Sequence, residues 1–296
     1  MRSAVLAMAY GSPERLADVE AYYTHIRRGS RPGAEQLADL VRRYEAVGGP
    51  TALNRITRAQ ADGLGRALAA RGHGIPVYTA FKHVAPFVGE TVRKMAADGI
   101  ERVVGIVLAP HYSLRSIAEY ERYAEEARPP GLELHVVRSW HDDPGLVEFL
   151  SARLREALER AGDAAPVVFT AHSIPTRAID RGDPYAGQLA ETCELVASRA
   201  GIDEWRFAYQ SAGRTDEAWL GPDILDVIES IADGGARGVV VQSIGFVADH
   251  LEILYDLDLE ARRLAEARGM AFTRAAMPND DPDFVAVLAD IVAPIL

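Results

Sequence analysis

Short, nearly uninterrupted apolar runs alternate with amphipathic stretches along the whole chain. Runs at residues 4–9, 77–81, 103–109, 134–137, 167–171, 206–210, 239–244 and 271–274 have the length and composition of strands buried on both faces. Residues 57–71, 86–98, 144–161, 184–200 and 250–268 instead carry apolar positions at helical spacing. Glycine follows each of these five, and Pro86, Pro144 and Pro184 open three of them. Proline in the first turn and glycine past the last is the usual punctuation of helices. Strand–helix alternation of this kind predicts an α/β protein, with parallel sheets flanked by helices.

Four predicted strands precede residue 150 and four follow it. Ala97-Asp98-Gly99-Ile100-Glu101-Arg102-Val103-Val104 echoes Ala232-Asp233-Gly234-Gly235-Ala236-Arg237-Gly238-Val239 at an offset of 232 − 97 = 135 residues. Both copies end a helix, turn on glycine and enter a strand, with a proline upstream (Pro86, Pro222). The echo predicts two similar Rossmann-like halves, each a four-stranded parallel sheet, at 1–155 and 156–280. Residues 281–296 read as a C-terminal helix packing back on the first half. Two such halves place a ligand cleft at the carboxyl ends of their strands. Residues 10–53 break the alternation: they hold helical segments but no strand. An insertion directly after the first strand covers the cleft mouth. It carries Tyr22, Tyr23, Arg27, Arg28, Arg31, Arg42, Arg43 and Tyr44, a basic and aromatic patch suited to a flat aromatic anion.

Composition narrows the partners. The chain has 296 residues, is 48% apolar and 25% charged, and carries a formal charge of −11. That charge disfavours nucleic acid and anionic lipid. No apolar run reaches the ~20 residues of a membrane span, and the N-terminus reads as a strand rather than a leader. A cytoplasmic protein is expected. The single cysteine, Cys193, excludes an internal disulfide and any cysteine-ligated cluster within one chain.

Three histidines follow predicted strands: His83, His111 and His172. The carboxyl ends of strands are where α/β sites are built, which ranks these above His25, His73, His135 and His141. The alternative for each is an imidazole satisfied by a nearby backbone group. His172 stands out, because a buried strand stops there and a Ser-Ile-Pro turn follows. The second candidate is GFVADHLEILYDLDLE, 245–260. Asp249 is placed to cap a helix beginning at His250. Glu252, Asp256 and Glu260 then recur at i, i+4, i+8 on one face. Carboxylates at that spacing repel, so a solvated acidic face competes with a cation-binding one. The crowding of Leu251, Ile253, Leu254, Tyr255 and Leu257 favours burial of the first acid, which then needs a partner. Glycine-rich phosphate loops are missing, and Ser12, Ser173 and Ser211 lie in no nucleophile elbow.

These residues sit in motifs that resemble the ferrochelatase family, and within it the coproporphyrin III branch of monoderm bacteria. The motifs are AYGSP (9–13), YYTHIRRG (22–29), RYEAVGG (43–49), KHVAPF (82–87), VLAPH (107–111), AHSIP (171–175), DPYAGQL (183–189), YQSAGRTDEAWLGPD (209–223), GFVADHLEILYD (245–256) and MPNDDPDF (277–284). The resemblance implies a porphyrin cleft between the halves and insertion of ferrous iron, as substrate, into coproporphyrin III during haem synthesis. It implies no organic cofactor, no iron–sulfur cluster and no membrane anchor. It assigns His172 and Glu252 to the macrocycle centre and Tyr10 to the opposite face. Arg27, Arg43, Tyr44, Thr51 and Tyr120 fall on propionate-holding positions, and Asp256 and Glu260 on an acidic cation path. It also implies a monomer with a transient contact to the downstream coprohaem decarboxylase. The family's GG-x-Ser-Pro-Leu loop departs here to Gly49-Pro50-Thr51-Ala52-Leu53, which keeps a hydroxyl but moves the proline. Alternatives are a protoporphyrin IX ferrochelatase, a cobalt or nickel chelatase of another tetrapyrrole, and a porphyrin or haem carrier without turnover. The carrier would need the cleft but not the His172–Glu252 pair.

Overall fold

A computed structural model describes residues 1–162, 165–213 and 215–296. One sheet holds β1 (Ser3–Ala9), β2 (Val77–Phe81), β3 (Arg102–Val107) and β4 (Glu133–Val137), in the order β2-β1-β3-β4. The other holds β5 (Val167–His172), β6 (Trp205–Gln210), β7 (Gly238–Ser243) and β8 (Ala271–Arg274), in the order β6-β5-β7-β8. All six pairings are parallel, so the second sheet repeats the first strand for strand. The repeat corrects the expected offset by one residue. Helix α4 (Val88–Ala97) leads into β3, and α9 (Ile224–Asp233) leads into β7. Their starts differ by 224 − 88 = 136, as do the starts of the strands, 238 − 102 = 136. The left-handed turn residues match this register: Gly99 and Gly235, with φ of 80° and 81°. The extra glycine in the second copy hides the true alignment from a residue-by-residue match.

Local signals set the helix ends. Asp143 accepts hydrogen bonds from the N–H groups of Gly145 and Leu146 at the start of α6 (Pro144–Ala161). Asp223 and Asp281 do the same for α9 and for α11 (Pro282–Val292). Helix α8 (Tyr185–Ala200) ends on left-handed Gly201. Helix α3 (Leu53–Ala70) begins four residues before the expected Thr57, because Leu53 and Ile56 bury against Ala248 of the other half. Central strands β1 and β5 are buried almost throughout. On the outer face each sheet has its own core, around Leu6, Val92 and Met95 in the first half and Val168, Ile228 and Leu257 in the second. The inner faces share one apolar core that runs from β1 and α3 through α6 and α11 to β5 and α8. Helix α11 lies on α3, where Val285 packs against Gly63.

The segment between β1 and α3 contains α1 (Val19–Ile26) and α2 (Ala34–Ala46), and no strand. It is anchored on the turn that leaves β1. The Tyr22 hydroxyl donates to Gly11 O (3.1 Å), and the Asn54 side chain pairs with both Ser12 N and Ser12 O. Gly11 has φ +86°, and a Cβ there would lie 2.6 Å from Val84 Cγ2, so only glycine fits. Among the described residues, no helix is long and apolar enough to cross a membrane.

Candidate active site

The carboxyl ends of β1 and β5 and the insertion converge on one cleft. His172 is the last residue of β5, paired in register with Gln210 of β6. Its carbonyl accepts from the Tyr185 hydroxyl (3.1 Å), and Trp219 and Phe246 meet its ring edge-on. Gln210 also donates to Glu252 O (2.9 Å), so one side chain from the strand beside His172 positions the backbone of its acidic neighbour. Glu252 Oε2 then lies 3.1 Å from His172 Nδ1. The approach does not make a hydrogen bond, and Nδ1 is buried without a partner. His250, whose Nδ1–H donates to Ala248 O, turns Nε2 to within 3.7 Å of the same carboxylate oxygen.

The charges are coupled. Burial works against a charged His172, but the Glu252 carboxylate, with Asp256 behind it, outweighs burial and raises its pKa. Burial pushes Glu252 upward, and the His172 and His250 rings reverse this and hold it well below the usual carboxylate range. Asp256 is pushed up to about 6 by burial and by the charge of Glu252, against opposing contacts from Ser211 and Arg43. Two neighbouring carboxylates thus differ in affinity for a proton, which is how one site holds a base and a relay together.

Two expectations for 245–260 are corrected. Asp249 does not cap a helix; its carboxylate receives Asn279 Nδ2 (2.8 Å) and Arg274 (3.0 Å). The segment Ile253–Ala261 is a π-helix, followed by α10 (Arg262–Ala267). With i→i+5 bonding, residues four apart fall short of a full turn instead of overshooting it. Glu252, Asp256 and Glu260 therefore drift opposite to the α-helical expectation. Asp256 is buried and bonds the Ser211 hydroxyl, while Glu260 lies half-buried toward the far end. Apolar spacing over two turns does not distinguish the two windings. The wider one is a recurrent mark of functional sites.

On the opposite wall Tyr10 directly follows β1, the first half's central strand. It is 42% exposed, yet its hydroxyl pKa is raised by desolvation first and then by the charges of Glu252 and Glu119. The charge of Glu252 felt at its hydroxyl places Tyr10 near the His172–Glu252 pair. Its ring packs against His83 with centroids 4.4 Å apart and the planes tilted by 57°. His83 Nδ1 is 3.0 Å from His25 Nδ1, and His25 borders a cavity of about 720 Å³ lined also by Thr24, Arg28, Arg31 and Tyr123. Lys82 lies beneath, its Nζ 2.6 Å from Glu119 and within 6 Å of the Tyr10 and Tyr120 rings.

The remaining expected residues take distinct positions. Arg27 is exposed and stacks on Tyr23. Arg43 is engaged by Asp39 (3.3 Å) and by Asp256 (3.4 Å), joining the insertion to the π-helix across the cleft. Tyr44 and Tyr120 are buried and turn inward. The Tyr44 hydroxyl meets Ser12 Oγ (3.2 Å), to which Thr51 Oγ1 also donates. Arg42 pairs with Asp39 on the helix surface, and Arg28 with Glu119. His111 joins neither His172 nor Tyr10; it is buried against His141. Arg214, within the motif at 209–223, lies outside the described residues. The sequence reading missed His250, Gln210, Trp219, Lys82 and Glu119. Of these, His250 stands two residues before Glu252 in the same motif, Lys82 opens KHVAPF, and Gln210 and Trp219 lie in the motif at 209–223; Glu119 alone lies in none of them.

A ferrochelatase family model matches residues 2–295. The chain is 44% identical to a protein named ferrochelatase from Thermus thermophilus, over 97% of this chain and 98% of the relative. It is 42% identical to a protein named coproporphyrin III ferrochelatase from Anoxybacillus flavithermus, over 97% and 94%. Among solved structures, SirB from Bacillus subtilis with Fe3+ superposes with a TM-score of 0.61 at 12% identity, covering 99% of this chain and 95% of that one. CbiX, described as the terminal enzyme of sirohaem biosynthesis in denitrifying bacteria, gives 0.57 at 14% identity, covering 99% of each chain. At such identities the last two show a shared fold.

Proposed function

The chain belongs to the ferrochelatase family, enzymes that insert iron into a porphyrin, and from that premise we propose that its substrates are ferrous iron and coproporphyrin III, with His172 and Glu252 at the reacting centre. The observation that carries this reading is the His172–Glu252 approach of 3.1 Å on the wall of a cleft. Metal insertion removes two protons from pyrrole nitrogens and brings a divalent cation to them. His172, its imidazole made more basic by an adjacent carboxylate, takes a proton from the ring. Glu252 stays ionised and receives the cation. An imidazole with one carboxylate suits ferrous iron while leaving most of its coordination free for transfer. Asp256, which binds or releases a proton near neutral pH, takes over each of the two ring protons from His172 in turn, and Glu260 continues the acidic route to solvent. Tyr10 stands across the cleft as the packing surface for the other macrocycle face. Arg27, Arg43, Tyr44, Thr51 and Tyr120 are the propionate positions; holding propionates with Tyr44 and Tyr120 requires their inward-facing hydroxyls to turn.

Coproporphyrin bears four propionates where protoporphyrin bears two. A cavity edged by Arg28, Arg31 and His25 favours the more anionic ring, since guanidinium forks pair carboxylates bidentately. We further place the protein in the cytoplasm as a monomer that passes its product to the coprohaem decarboxylase.

The test is iron insertion measured with each porphyrin under identical detergent-free conditions. Higher catalytic efficiency with coproporphyrin III is expected; equal or better use of protoporphyrin IX overturns the substrate assignment. His172→Ala should abolish turnover while porphyrin binding, followed by absorbance, persists. Turnover surviving in that variant overturns the assignment of the centre.

A further inference from the structure

Outside the cleft, the two halves meet at a second cluster of ligating groups. The loop after β4 supplies Ser139, His141 and Asp142, and the loop after β3 supplies Pro110 and His111. Helix α8 turns Gln188, Glu191 and Thr192 toward them, at i, i+3 and i+4 on one face. One ligand atom each from His141, Asp142 and Glu191 lies within 4.8 Å of the others. Glu191 Oε2 is 2.9 Å from His141 Nε2, and Asp142 Oδ1 is 3.8 Å from Nδ1. Among the described residues, neither carboxylate is paired with a lysine or arginine.

The surrounding hydrogen bonds fix which His141 nitrogen is free. Ser139 Oγ lies 3.1 Å from Pro110 O and 3.1 Å from Gln188 Oε1, both acceptors, so its one hydrogen goes to them. Gln188 Oε1 is identified as the oxygen because it receives Tyr112 N–H at 2.7 Å. Ser139 therefore accepts from His141 Nδ1–H (2.8 Å). Nε2 meets the Glu191 carboxylate at 2.9 Å, a position that a proton or a metal ion shared by the two groups can fill. A histidine whose second nitrogen donates into a hydrogen-bonded support is the arrangement that orients metal ligands. The neighbouring ring behaves alike. Thr192 donates to His141 O or Gln188 O, so His111 Nε2–H donates to Thr192 Oγ1 (2.9 Å), and His111 Nδ1 is left as a buried lone pair without a partner.

We propose that His141, Asp142 and Glu191 form a second divalent-cation site, separate from the His172–Glu252 pair, which ties the loop after β4 in one half to α8 in the other. One imidazole and two carboxylates suit a first-row transition ion such as zinc or ferrous iron, with water completing the coordination. The histidine is the fixed anchor, its side chain 9% exposed, while the carboxylates at 61% and 55% open to solvent and close onto an arriving ion. The site also touches the frame of the cleft. The His111 ring lies between His141 (5.8 Å) and Tyr185 (6.2 Å), whose hydroxyl holds the carbonyl of His172.

The test uses the full chain, freed of metal by chelator and carrying His172→Ala, Glu252→Gln, Asp256→Asn and Glu260→Gln to silence every cation-binding group of the cleft. Zinc titrated by calorimetry should bind one equivalent and raise the melting temperature. Adding Asp142→Asn and Glu191→Gln, both at exposed positions, should weaken that binding more than about tenfold and remove the thermal shift. The metal-free melting temperature should stay unchanged, which shows that folding is intact. No zinc bound by the cleft-silenced protein, or binding of unchanged affinity after the two surface changes, overturns the proposal and leaves His141–Glu191 as an ion pair.

Discussion

Asp256→Asn should stabilise the metal-free protein, by an amount that depends on pH. The carboxyl is buried beside Glu252 and is held at about 6, against an ordinary 3.8. The folded state therefore binds a proton that the unfolded chain releases earlier. Stability from that proton is complete below pH 3.8 and is lost as pH rises through 6. The shift of 6 − 3.8, at 1.36 kcal/mol per unit, amounts to about 3 kcal/mol, of which about 2 kcal/mol falls between pH 4.5 and 8. Asparagine has the same shape and no charge to bury, so its stability lacks this slope. Urea unfolding of both proteins, with chelator present, should give a difference growing by about 2 kcal/mol in favour of the variant from pH 4.5 to 8. A divalent cation in excess should shrink the difference, because it replaces the missing proton. A flat difference across that range, or one growing in favour of the wild type, would refute the account of a carboxylate kept energetically uncomfortable by its site.

Three further outcomes are expected. Glu252→Gln removes the charge that raises the His172 pKa, so the acid limb of any residual insertion activity should move to lower pH; an unmoved limb would show that Glu252 does not tune the imidazole. His83 is held neutral at about 3, by burial first and then by Lys82 and His25, so its contribution is complete above pH 6.5 and is lost as pH falls toward 3. That loss reaches about 5 kcal/mol, and His83→Gln should make the acid side of the stability profile shallower. Gly11→Ala forces a side chain into left-handed backbone and against Val84, and should cost at least about 1–3 kcal/mol in urea unfolding; an unchanged midpoint would show that the turn can relax.

Buried parallel strands leave a plain trace, and two four-stranded parallel sheets follow from it together with the glycine echo, while the strand order within each sheet is set by pairings the chain pattern does not carry. The single-residue slip in that echo comes from Gly234-Gly235, where two glycines occupy the place of one and only backbone dihedrals reveal which turns left-handed. His172 stands out because it ends an apolar run, and Glu252 because it is set among Leu251, Ile253 and Leu254, both places where a polar residue needs a reason. Asp249 misleads because a cap and an ion-pair acceptor are the same residue type; its partners Arg274 and Asn279 lie 25 and 30 residues away. Tyr44 and Tyr120 are named by their motifs, but which way each ring packs is set by contacts far along the chain, such as Ser12 at the Tyr44 hydroxyl. His141 ranked low because it stands beyond its strand, and its partners on α8 come from the other half of the chain.

The apolar core shared by the inner faces of both sheets has a mechanical consequence. A book-like opening of the cleft would strip water-free contacts among α3, α6, α8 and α11, at about 25 cal/mol for every Å² exposed. The two walls are therefore one casting and not a pair of jaws. The insertion of α1 and α2 is tied to this block by side-chain contacts of Tyr22, Tyr44 and Arg43.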